Sequence, residues 1–161
     1  MRRRIPLILV LASLIAAPTA GAVPPTAIEQ TFHRLAPRFI DCGSFTVSGE
    51  WDVTRLNTIF YDSSGMPVRQ TFHVHFSGTL TNNATGKSIP DTGNQNVTLD
   101  LLTGEGVVDG RVRVDTIPGE GVVLAQVGRV VTENGVPIFI AGQQAFAEHD
   151  LGGFCAFMAS L

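Results

Sequence analysis

Lysine is almost missing from this chain, Lys87 being the only one, and beyond the first few residues the arginines are scattered. Nucleic acid and anionic lipid are recognised through clustered Lys and Arg, so neither is expected as the main partner. Long apolar runs are also missing after residue 22. None approaches the ~20 residues that a helix needs to cross a bilayer, so no membrane span is expected there. Familiar catalytic frames fail too. Ser44 and Ser77 lack the glycines of a nucleophile elbow, and Gly104-Glu105-Gly106 precedes no helix whose N-terminus would hold a phosphate.

What is present begins with an export signal. Met1 and three arginines lead into an apolar stretch from Ile5 to Ala17, then into the small residues Ala20-Gly21-Ala22. This charged, apolar and small-residue order predicts a signal peptide over residues 1–22, cleaved after Ala22, and a secreted, extracellular protein. Removal takes three arginines and no acid. The mature chain then holds 8 basic and 14 acidic residues, a net charge of −6, in 139 residues that suit one domain.

The only cysteines, Cys42 and Cys155, lie at either end of the body. Outside the cell two thiols in a small domain pair, so a Cys42–Cys155 disulfide is expected. Such a bond would set the first strand beside a last short strand near 153–158, which favours a closed sheet.

Thr26 and Glu29 have capping-box spacing ahead of Ile28, Phe32 and Leu35, so residues 23–41 read as a linker and one short N-terminal helix that stops before Pro37. From Cys42 the period is two. Phe45 to Val53 alternates, a second strand is expected at 58–61, and Asp62-Ser63-Ser64-Gly65 marks a turn. Val68 to Leu80 alternates most cleanly, with Phe72, Val74 and Phe76 on one face and His73 and His75 on the other. Ser88-Ile89 reads as an edge piece and Pro90 to Asn94 as a loop. Gly104-Glu105-Gly106-Val107-Val108 returns as Gly119-Glu120-Gly121-Val122-Val123, an offset of one strand plus one turn, and Asn134-Gly135 marks a tight hairpin. These signals predict an all-β fold: an antiparallel β-barrel or closed β-sandwich of about eight or nine strands over residues 42–161, expected as a monomer.

His73 and His75, two apart on a strand, project to one side and offer two imidazoles to a zinc or copper ion. Glu148, His149 and Asp150 are the candidates for a third ligand. On the alternative reading both histidines face water. The strand lacks the glutamate that a cupin places four or five residues after such a pair. Asp91-Thr92-Gly93 is the tripeptide of aspartic peptidases, but those enzymes need two carboxylates, and after Pro90 it reads as an ordinary turn. Asp109, Arg111, Arg113 and Asp115 read as exposed cross-strand pairs on one face.

Asp41-Cys42-Gly43, the Asp62 to Pro67 turn, Phe72-His73-Val74-His75, Gly78-Thr79-Leu80-Thr81-Asn82, Gly86-Lys87-Ser88 and Phe154-Cys155-Ala156 together resemble a group of small secreted, β-rich proteins common in actinobacteria. That resemblance implies export, a cysteine pair and a β-rich body. The group has no assigned activity, so it lends no functional residue. Three functions are therefore expected in turn: a binding module for a small apolar ligand, with space beside Trp51 left by Gly49 and Gly78; a metal-binding protein or metal-assisted enzyme using His73 and His75; or an envelope-associated protein without a pocket.

Overall fold

In the computed structural model, which describes residues 23–161, seven antiparallel strands form one sheet, each hydrogen-bonded to its neighbour in sequence. They are β1 (Thr26–Asp41), β2 (Thr46–Tyr61), β3 (Pro67–Asn82), β4 (Ser88–Asp100), β5 (Glu105–Ile117), β6 (Gly121–Glu133) and β7 (Val136–Gln144), followed by one helix, α1 (Gly152–Ser160). The signal peptide read over residues 1–22 lies outside the described residues.

The all-β, antiparallel expectation holds, and the details differ in four ways. The N-terminal helix is a strand. Ile28 and Phe32 satisfy a period of two as well as a helical one, and β1 finds a ladder along β2 from Thr26↔Ile59 to Asp41↔Thr46; that ladder outweighs a local capping signal. Strand number is seven, because the two pieces expected at 45–53 and 58–61 are the continuous β2, and the loop expected at 90–94 lies inside β4. The last short strand is α1, whose run of nonpolar and small residues has no partner strand to complete a ladder. Finally, β1 and β7 are not paired, so the sheet does not close into a barrel.

The sheet nevertheless curls. Phe39 of β1 and Phe146, just past β7, meet with ring centroids 5.3 Å apart, so the two margins converge at one end. A meander sends alternate turns to opposite ends. The β1–β2, β3–β4 and β5–β6 connections share the converged end with α1. The β2–β3, β4–β5 and β6–β7 turns share the other end, which stays open. Here the turn signals hold: Asp62 Oδ1 accepts from the backbone N–H of Ser64 (2.8 Å) and Met66 (2.9 Å). Asn134 and Gly135 take φ of 50° and 82°, the left-handed pair that a two-residue hairpin requires.

Helix α1 plugs the converged end. Phe154 and Met158 are buried with Ile40, Val47, Leu80, Ile89 and Leu124, and burial of each such side chain stabilises by roughly 1.5–3 kcal/mol. Asn82 Nδ2 donates to the Met158 carbonyl (2.9 Å). The Cys42–Cys155 disulfide is present, with Cα atoms 5.5 Å apart. It joins the end of β1 to the helix and not to a last strand, so it holds the plug in place and does not force the sheet to close. No helix among the described residues is long and apolar enough to cross a membrane.

The bond spans 113 residues of sequence, and a loop of that order constrains the unfolded chain strongly. Replacing both cysteines by serine is expected to lower unfolding free energy by about 2–5 kcal/mol in urea titrations. A loss below about 1 kcal/mol would mean that Phe154 and Met158 alone seat the helix.

Candidate ligand-binding site

Antiparallel register sets concave-facing residues in rows that run across the strands. From the open end inward, the rows are Ile28–Asn57–Phe72–Val97, Gln30–Arg55–Val74–Gln95, Phe32–Val53–Phe76–Gly93 and Arg34–Trp51–Gly78–Asp91. Between the first rows and the plug lies a half-open cleft of about 480 Å³, within the range of small-molecule sites. Its wall is aromatic, from Phe32, Phe39, Trp51, Phe72, Phe76 and Phe146. The Phe72, Val74 and Phe76 face is thus the one turned to the interior.

The floor is polar. Trp51 Nε1 donates to Asp91 Oδ2 at 2.5 Å, although the two residues sit on β2 and β4 with β3 between them. Strands two apart are separated by about 10 Å, so the indole must reach over β3. It does so at Gly78, where a Cβ would collide with the backbone of Glu50 and Trp51. Gly49 leaves no free space either: the Trp51 ring occupies the volume its side chain would fill. The room expected from these two glycines is therefore used by tryptophan and backbone, and the cavity lies further toward the open end.

Arg113 Nε stands 2.7 Å from Asp91 Oδ1, an ion pair in which the N–H points off the line to the oxygen. Its guanidinium carbon lies 4.9 Å from the Phe76 ring centroid, 5.1 Å from Phe39, 5.7 Å from Phe146 and 5.8 Å from Trp51. Four rings and a carboxylate thus hold one cation away from water. Continuing the Gly93↔Arg113 register by two residues sets Asp91 opposite Asp115. Burial pushes the Asp115 carboxyl up to about 7, the negative Asp91 adds to that, and Arg113 opposes it. Burial likewise pulls the Arg113 guanidinium below its usual value against the pull of both aspartates.

Two sequence expectations are corrected here. Arg113 and Asp115 are buried, at 7% and 4% exposure, while Asp109 and Arg111 are exposed; the register shift between Arg111 and Arg113 breaks their common face. Asp91 is not a turn residue but a fully buried strand residue. Its one sequence mark is that it stands in period two between Ile89 and Val97; the intervening Asp91, Gly93 and Gln95 show no apolar alternation. Arg34, Arg55, Gln95 and Gln126, which also line the cleft, left no such mark.

His73 and His75 project from the opposite, exposed face. Asn96 Oδ1 accepts from His73 Nδ1 (2.7 Å) and Asn94 Oδ1 from His75 Nδ1 (3.0 Å). Among the described residues no group of three or more His, Cys, Asp or Glu converges on a metal site, and Glu148, His149 and Asp150 follow β7 in a separate turn. No family model matches the chain, and no curated protein or solved structure matches it. The fold and the site define an open, curled antiparallel meander around an aromatic cleft with a charged floor.

Because the folded Asp115 carboxyl binds its proton more tightly than an unfolded one, its contribution to folding is full below the unfolded value of 3.8 and is lost as pH rises from there through about 7. Asp115→Asn removes the dependence. Its melting temperature relative to the parent is expected to be higher at pH 8 than at pH 5, and a difference that does not change with pH would show that Asp115 does not titrate in this window.

Proposed function

We propose that this chain is an exported binding module that holds a small apolar ligand in the cleft between the open rim and the Arg113 floor. The observation that carries this reading is the unfilled aromatic cleft. In a fold whose converged end is packed solid, six aromatic side chains face about 480 Å³ of open space. Filling that space with apolar atoms would remove aromatic surface from water, at about 25 cal/mol per Å². Access comes from the open end, where the hairpin tips carry exposed Met66, Leu101, Leu102 and Val136. The disulfide and the lack of a long apolar helix among the described residues are compatible with export, and the charged, apolar and small-residue order of residues 1–22 favours it.

The envelope-associated reading needs a filled interior and gains no support from an open one. The metal reading retains two imidazole nitrogens on the solvent face, a set short of the three protein ligands that catalytic zinc sites use.

Trp51 is the only tryptophan and lines the cleft, so its emission is a direct probe. Saturable quenching or a wavelength shift is expected on titration with apolar ligands such as long-chain alcohols and acids. Val97→Trp, which fills the cleft from β4, should weaken that binding at least about tenfold, read by calorimetry because the variant carries a second tryptophan, while leaving the fold intact by circular dichroism. If no member of such a panel perturbs Trp51, or if Val97→Trp binds as the parent does, the cleft is not the binding site.

A further inference from the structure

No carboxylate lines the cleft among the described residues. Its polar side chains are Arg34, Arg55, Arg113, Gln95 and Gln126. Three of the eight basic residues that remain after removal of residues 1–22 therefore face one cavity of an acidic protein. Arg34 and Arg55 have no carboxylate within ion-pair distance among the described residues, in contrast to Arg113 with Asp91. Arg55 is instead held by neutral groups: its Nη2 donates to Gln30 Oε1, and its guanidinium lies over the rings of Phe32 and Phe72.

Unmet hydrogen-bonding capacity has the same sign. Arg55 Nε and Gln126 Nε2 are buried atoms of the lining without a hydrogen-bond partner among the described residues, and each is an N–H donor, whereas Arg113 Nε lies against Asp91. The buried oxygen left without a hydrogen bond or ion pair among the described residues, Asp115 Oδ2, belongs to a residue beneath the floor that does not line the cleft. Buried donors without acceptors are costly, and β2 and β6 each supply one to the lining of the same space.

Resting on the reading of the cleft as a ligand site, we infer that its ligand is an apolar body carrying an anionic, acceptor-only head group, a carboxylate or phosphate monoester, which Arg55 and Arg34 hold against the aromatic wall. A head of that kind accepts from the guanidinium N–H fork in two parallel bonds and offers further lone pairs to Gln126. The apolar body then lies against Phe32, Phe72 and Phe76. A hydrocarbon would leave both donors unmet.

The test compares hexadecanoate and monohexadecyl phosphate with hexadecan-1-ol, which shares their chain and lacks the anion, in Trp51 titrations at constant ionic strength. At least one of the anions is expected to bind about tenfold or more tighter than the alcohol, and the tighter of the two identifies the head. Arg55→Gln should reduce that preference to within about threefold with little change in alcohol affinity, and Arg55→Lys should restore part of it. Arg34→Gln alters an exposed side chain and should reduce the preference without affecting folding. Equal binding of alcohol and anions, or a preference unchanged in both glutamine variants, overturns the anionic head but leaves the apolar site standing. Failure of all three compounds to bind overturns both.

Discussion

Arg113 divides the molecule in two. On one side of it, Trp51 and the aspartates meet a packed core closed by a helix; on the other, the same curled sheet encloses open space. A guanidinium cannot enter an apolar interior unaccompanied, so its position dictates its neighbours: Asp91 at 2.7 Å, Asp115 beside that, and four aromatic rings around the cation. Each partner is fixed in turn by another strand. Asp91 takes the indole N–H of Trp51, and Gly78, which stands between the two in the register, puts no side chain between them. Taking these charges out of water is expensive, and a well-packed apolar layer would stabilise as much or more. The layer therefore makes better sense as the floor of a site than as a source of stability.

Curling without closure follows from where the sheet is fastened. At the converged end, the disulfide, the Asn82 to Met158 hydrogen bond and the contact between Phe39 and Phe146 draw the first and last strands toward each other. At the open end nothing among the described residues bridges β1 and β7, and seven strands with their natural twist do not meet. The result is a cup with a solid base. Its cleft is lined by arginines, glutamines and aromatic rings, and its outer surface carries most of the acidic residues together with His73 and His75.

How far the sequence could be read depends on the range of the signal. Turns are written in a few adjacent residues, so Asp62 to Gly65 and Asn134-Gly135 were legible, and the 15-residue return of Gly-Glu-Gly-Val-Val correctly implied adjacent strands. The strand from Val68 to Leu80 was legible because its alternation is long. The segment from Thr26 to Leu35 was misread because its apolar spacing fits two periods, and only a partner strand decides between them. Pro90 to Asn94 was misread because proline, aspartate and glycine suit turns, yet in β4 the glycine and the aspartate are demanded by the Phe76 ring and the Arg113 charge across the sheet.

By itself the sequence determined the β class, the adjacency of the two strands that carry the Gly-Glu-Gly-Val-Val repeat, the pairing of its two cysteines and which face of β3 is apolar, because composition, period and turn chemistry act between near neighbours. Tertiary structure alone decided that the sheet stays open, that a helix seals one end, and that Arg34, Arg55 and Arg113 face a common space. Those residues come from three strands as much as 79 positions apart, and only the curl of the sheet, a collective property of all seven strands, brings their charges together.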